Sequence, residues 1–163
     1  MDDPPFTSPG LSLKRAEPAD IRSIQSIINE AYSKYIPRMN KPPAPMSTDY
    51  QALLTSPIYT IFVLRSGDED IVGAFVLYHE ENASDLRINN MVVDQKAQGR
   101  GYGRVLMQYA EDVAKWRGCT ALTLYTNVAM VENLVLYPKM GFVETGRRTE
   151  DGFERVYFRK ELV

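Results

Sequence analysis

The run Val92-Val93-Asp94-Gln95-Lys96-Ala97-Gln98-Gly99-Arg100-Gly101-Tyr102-Gly103-Arg104-Val105-Leu106-Met107 passes from apolar to glycine-rich to amphipathic in a few turns of chain. Its apolar start suits the end of a buried strand, and a helical pattern begins within residues 101–104, so three glycines sit where strand becomes helix. The first N–H groups of a helix have no intrahelical partner and lie at the positive end of its dipole. Gly99, Gly101 and Gly103 remove the side chains that would keep an anion from that backbone, and the turn is predicted to hold a phosphate. Lys96, Arg100 and Arg104 flank it, either as phosphate partners or as solvated surface cations.

Two familiar phosphate loops fail the test. A Walker loop needs a Lys-Ser/Thr pair after its last glycine, and none is present. A dinucleotide fingerprint beginning at Gly99 would need its third glycine where Arg104 stands, and an acidic residue near residues 118–131 that does not occur.

Outward from the turn, residues 86–93 read as the third strand of a meander whose first two strands are 58–64 and 71–78. Polar turns at 65–70 and 80–84 join them. After the turn, Val105, Leu106, Tyr109, Ala110 and Val113 share one helix face, and Gly118 suits the C-terminal end. A strand over 121–126 follows, and strand, helix, strand implies a parallel crossover. A short helix over 131–139 and a closing hairpin around Asp151-Gly152 complete this half. Toward the N-terminus, residues 11–16 alternate as an edge strand would. A helix opened by Pro18 places Ile21, Ile24, Ile27, Ile28 and Ala31 on one face. Residues 33–49 hold four prolines and read as a pocket wall or a surface cover, and Ser47 or Thr48 is expected to cap a short helix over 49–55. Trp116, Tyr109, Tyr125 and Phe142 fit core faces. The expected class is α+β in three layers: a mixed, mostly antiparallel sheet with one parallel crossover and helices on both faces.

Composition bounds the rest. The 163 residues suit one domain over 11–163, preceded by a tail over 1–10 rich in Pro, Asp and Ser that is expected to lack fixed structure. One cysteine, Cys119, excludes an internal disulfide, and a single histidine, His79, argues against a Cys/His metal site. The acidic, proline-rich start carries no apolar run, so neither a signal peptide nor a membrane span is expected and the protein is placed in the cytoplasm. A formal net charge of −2 gives no general attraction to nucleic acid or to a membrane.

Gln98-Gly99-Arg100-Gly101-Tyr102-Gly103 resembles the Gln/Arg-x-x-Gly-x-Gly/Ala loop of the GNAT superfamily of acyl-CoA-dependent N-acyltransferases. Leu136-Tyr137-Pro138-Lys139-Met140-Gly141-Phe142 is similar to the family's Leu-Tyr-x-x-x-Gly-Phe segment, at the expected distance. Two motifs in the right order outweigh either alone, and the segment 43–50 resembles the acceptor-side loop of small-molecule members. The resemblance covers residues 11–162. It implies acetyl-CoA as co-substrate without a metal. The backbone of Met91, Val92 and Val93 would lie along the pantetheine arm. Gln98, Gly99, Arg100, Gly101, Tyr102, Gly103 and Arg104 would hold the pyrophosphate, Asn133 would lie beside the arm, and Tyr137 near the sulfur.

Acyl transfer from a thioester needs a neutral amine, a donor for the developing oxyanion and a proton for the leaving thiolate. Tyr137 has a phenol to give, or else is a core aromatic. Where many relatives carry Glu, this sequence aligns Asn89, which accepts no proton at neutral pH. A water held by Asn89 and Asn90, His79 or Glu80 at the neighbouring strand end, or no base at all remain open. Cys119, with no histidine near it in sequence, reads as a buried thiol rather than an acyl carrier. The expected activity is N-acetyl transfer from acetyl-CoA to a primary amine of a small molecule or peptide, directly in a ternary complex. The alternative is a non-catalytic acyl-CoA-binding sensor. Acceptor selection is expected from residues 32–50 and 147–157, and a homodimer is left open.

Overall fold

The computed structural model describes residues 2–67 and 70–163. Met1 of the expected tail and Asp68 and Glu69 of the expected 65–70 turn lie outside the described residues. The strands are β1 Leu11–Arg15, β2 Tyr59–Ser66, β3 Asp70–Tyr78, β4 Asp85–Val93, β5 Ala121–Asn127, β6 Val143–Glu150 and β7 Phe153–Glu161. They form one sheet in the order β1-β2-β3-β4-β5-β7-β6. Neighbours run antiparallel except β4 and β5, the expected parallel pair. Helices are α1 Ile21–Tyr32, α2 Ile36–Met39, α3 Tyr50–Leu53, α4 Tyr102–Trp116 and α5 Val131–Lys139.

Hydrophobic spacing decides the layers. On α1, Ile24, Ile27 and Ile28 fall on one face and bury against Val63, Ala74, Val76 and Val92. On α4, Leu106, Tyr109, Ala110 and Val113 pack on the opposite face of the sheet with Leu86, Leu122 and Phe158. β3 is covered on both faces, which is why Val72 to Leu77 reads as an unbroken apolar run. Each large side chain so buried contributes roughly 1.5–3 kcal/mol.

Three expectations are corrected. Residues 2–10 do not hang loose: Pro4 is buried and its carbonyl accepts from Tyr109 OH at 2.7 Å, Phe6 packs edge-on to Tyr109, and Asp3 pairs with Arg15 at 2.7 Å. Composition alone missed this because a proline has little freedom to lose and one aromatic suffices as an anchor. Trp116 is 54% exposed instead of buried, its indole N–H donating to Asp2 O. The cap of the short helix is Asp49, which accepts from Ala52 N–H at 3.1 Å, and the helix spans only Tyr50–Leu53.

Two irregularities open the middle of the sheet. Val76 opposes Asn90 while Leu77 opposes Ile88, so β4 carries a bulge at Asn89. Alternation is reset there: Leu86 and Ile88 before it and Met91 and Val93 after it face α4, while Val92 faces α1. Asn89 and Asn90 therefore both face the α1 side. The second irregularity is that β4 and β5 stop pairing at Ile88 and Leu124, whereas β5 stays paired with β7 out to Asn127 and Arg155. Past that point the parallel strands part into a wedge.

Candidate active site

α5 stands at the mouth of the wedge and divides it into two recesses that share Met91, Asn133 and Tyr137. The first, about 790 Å³, runs from Met91–Val93 to the glycine turn and is bordered by Gln98, Gly99, Gly101, Tyr102 and Gly103. The second, about 570 Å³, is bordered by Asn89, Asn90, Tyr32, Pro45, Phe153 and Arg155.

The glycine turn is built for backbone to face outward. Asp94 caps a single 3-10 turn, accepting from Lys96 N–H at 3.1 Å, and the chain then turns through Gly99 at φ +83° and Gly101 at φ +82°. Those values favour glycine. Gly101 is the N-cap of α4, and the first helical bond runs from Val105 N–H to Gly101 C=O at 3.2 Å. The N–H groups of Tyr102, Gly103 and Arg104 thus have no partner within the helix. Among the described residues, those of Gly99, Arg100 and Gly101 donate to nothing. A Cβ on Gly103 would meet no atom within 4 Å, so open space lies in front of this row of donors.

The strand edge continues the row. Asp94 N–H donates to Val72 C=O at 2.8 Å. Antiparallel alternation then directs Val92 toward β3 and turns the N–H and C=O of Met91 and Val93 into the wedge. Of the three strand residues expected beside a pantetheine arm, two present backbone and Val92 presents only its flank. Asn133 is held by its amide, Nδ2 donating to Thr126 Oγ1 at 3.0 Å, which anchors α5 to the end of β5. Arg100 and Arg104 border neither recess; Arg100 lies over a separate hollow with Asp20, Asp94 and Lys96.

Tyr137 sits between the recesses, its ring 5.8 Å from Phe142 and 5.8 Å from Phe158. Burial, with Tyr35 beside it, pushes its phenol up to about 12, so it is a proton donor at neutral pH. Asn90 donates from Nδ2 to Tyr50 OH at 3.2 Å, and its Oδ1 is buried with no hydrogen-bond partner. Asn89 Oδ1 accepts from Arg87 at 3.2 Å. His79 is not here. Its Nε2 lies 3.0 Å from Ala83 O and 3.3 Å from Cys119 Sγ. Antiparallel pairing carries the residue after β3 opposite Leu86, three residues and roughly 10 Å along β4 from Asn89. Burial pushes the Cys119 thiol up, away from nucleophilic use, and it too is remote from both recesses.

Residues 33–49 form one wall of the second recess, through Met39, Pro43, Ala44 and Pro45. Pro37 and Pro45 occupy first-turn positions, where a missing N–H costs nothing. Arg38 clamps this wall to α5 through a two-point pair with Glu132 at 2.6 and 3.1 Å, which holds that carboxyl down at about 2. Tyr32 and Arg155, from the two segments expected to select the acceptor, also border the recess, together with Thr126 and Met130, which had no sequence signal because they come there only through the sheet order. Among the described residues there is no cluster of three or more metal-binding side chains, and no helix long and apolar enough to cross a membrane.

Residues 57–144 match the family model described as an acetyltransferase (GNAT) domain. Over 138 residues the chain is 28% identical to the IAA acetyltransferase of Azospirillum brasilense, spanning 85% of this chain and 88% of that relative. It is 26% identical over 125 residues to the aminoglycoside N(6')-acetyltransferase type 1 of Serratia marcescens, spanning 70% and 78%. The fold superposes on the ribosomal-protein-S18-alanine N-acetyltransferase of Escherichia coli with a TM-score of 0.73, at 19% identity and 93% of each chain. The chain belongs to the GNAT acetyltransferase family, whose members use acetyl-CoA as co-substrate. It is an N-acetyltransferase.

Proposed function

We propose that the protein transfers an acetyl group from acetyl-CoA directly to a primary amine of a small molecule or peptide, both bound together across the wedge. The observation that carries this reading is the meeting of two recesses at Met91, Asn133 and Tyr137: one ends in an open row of amides, the other in polar side chains. The amides from Gly99 to Arg104 would grip the pyrophosphate, with Gln98 at the entry. The free edges of Met91 and Val93 would bond the pantetheine arm, and Asn133 Oδ1 would take one of its N–H groups.

The residues then divide the chemistry. The Met91 N–H, turned into the wedge, is placed to stabilise charge on the carbonyl oxygen. Tyr137 gives its phenolic proton to the departing thiolate. Asn90 Oδ1, buried and unpartnered, orients the incoming amine or a water beside it. Among the described residues no histidine or carboxylate borders the acceptor recess, so the amine loses its proton to water. Thiol release measured over a panel of amines tests the reading. Turnover that saturates in both substrates with intersecting kinetics is expected. Thermal stabilisation by acetyl-CoA without thiol release from any amine would instead favour a non-catalytic acyl-CoA sensor.

A further inference from the structure

We infer that the acceptor amine belongs to a molecule that also carries a carboxylate, read by Arg155, on an apolar or aromatic body; this rests on the transferase reading above. Among the described residues, Arg155 is the one charged side chain bordering the acceptor recess. Its side chain is 12% exposed, yet it makes no hydrogen bond among the described residues. Five N–H donors on a nearly desolvated guanidinium call for an anion. Glu150 Oε1 at 3.9 Å and Asp151 Oδ2 at 4.0 Å are its nearest carboxylates, both beyond hydrogen-bonding reach. Asp151 is 87% exposed and screened by water, and the buried Oε1 of Glu150 has no hydrogen-bond partner. They balance part of the charge and leave the donors free.

The guanidinium is aimed by aromatic stacking. It lies 4.4 Å from the Tyr125 ring centre and 5.6 Å from that of Phe153. The same face of the sheet carries further cations over rings: Arg87 at 4.2 Å from Tyr78, Arg148 at 4.2 Å from Tyr157, and Lys41 at 3.9 Å from Phe153. None of these three has a carboxylate within ion-pair distance among the described residues. Among the described residues the buried Nε of Arg87 has no hydrogen-bond partner. A polycation entering here would lose water against four cations with only Glu150 and Asp151 to offset them. An amino acid gains an ion pair for its carboxylate and presents its amine toward Asn90 and Tyr137. Arg155 stands on β7, two strands from β4 in the sheet order, with its side chain leaning back over β5 into the recess it shares with Asn90 and Tyr137.

The test is a set of matched pairs, each an aromatic amino acid against its decarboxylated amine, with spermidine as a polycation, read by thiol release. The expected result is a kcat/KM higher by roughly tenfold to hundredfold for the carboxylate-bearing member, from charged hydrogen bonds in a desolvated site. Arg155→Met is expected to collapse that ratio toward one and Arg155→Lys to keep part of it. Unchanged stabilisation by acetyl-CoA verifies that both variants are folded. A wild-type preference for spermidine or for the decarboxylated members, with acetyl-CoA still binding and turning over, overturns the inference and leaves the transferase standing. Absence of both acetyl-CoA binding and turnover removes the transferase reading itself.

Discussion

Asn90 donates from Nδ2 to the hydroxyl of Tyr50 at 3.2 Å, and that hydroxyl donates in turn to the carbonyl of Pro45 at 2.6 Å. One buried chain of bonds thus ties the strand after the bulge to the wall of the acceptor recess. Tyr50→Phe keeps the ring and leaves the Asn90 amide and the Pro45 carbonyl without a partner, a cost of about 1–3 kcal/mol. Urea unfolding should register that loss, and the acceptor KM should rise as Pro43 to Pro45 loosen. A stability loss with an unchanged acceptor KM would reduce Tyr50 to a core residue.

Tyr137→Phe separates chemistry from packing at the point where the recesses meet. The ring contacts with Phe142 and Phe158 survive the change and only the proton donor goes. The expected outcome is a kcat lower by about a hundredfold, in the range for removing a general acid. KM for acetyl-CoA and the melting temperature should stay near wild type. A kcat that hardly moves would transfer the proton to water and leave Tyr137 as lining.

The layers were legible because each rests on local spacing: Ile24, Ile27 and Ile28 on a helix period, Leu86 and Ile88 on a strand period, glycines at the one strand-to-helix turn that needs positive φ. The wedge left no local signal, since no pattern of residues says that β4 stops pairing at Ile88. His79 misled for a related reason. Sequence places it next to the meander, while register sets it at the far end of β4 against Cys119. Arg155 fell within the hairpin 147–157 expected to help select the acceptor, but nothing in the sequence set it apart from the other arginines of that hairpin; what does is Tyr125, thirty residues earlier in the chain and one strand away.

The glycines of the turn separate into two kinds. Gly101 holds φ +82°, and Gly101→Val should destabilise the fold by about 1–2 kcal/mol through backbone strain, whatever it does to binding. Gly103 has no such constraint and stands in the first turn of α4 with open space before it. Gly103→Val should therefore leave stability close to wild type, while its side chain enters the space reserved for the anion and weakens acetyl-CoA binding by roughly tenfold or more. Calorimetric titration with acetyl-CoA beside urea unfolding would read the two effects apart. Equal affinity in the valine variant would mean that the diphosphate lies elsewhere.

Buried phenols set the alkaline limit of the fold. Tyr137 and Tyr50 are both pushed up to about 12 and Tyr32 is raised as well, each mainly by burial. A raised phenol pKa means the folded chain keeps protons that the unfolded chain releases from about pH 10 upward. Stability is therefore untouched below that value and falls as pH climbs from about 10 toward 12, by about 1.4 kcal/mol per pH unit for each such group. Tyr109, in the core and also pushed up to about 12 mainly by burial, adds a comparable share. Urea midpoints followed between about pH 9 and 11 should hold level at first and then drop steeply. Tyr50→Phe should shallow that slope, because phenylalanine has no proton to lose. A midpoint that stays flat through the window would mean that these hydroxyls meet water in the folded protein.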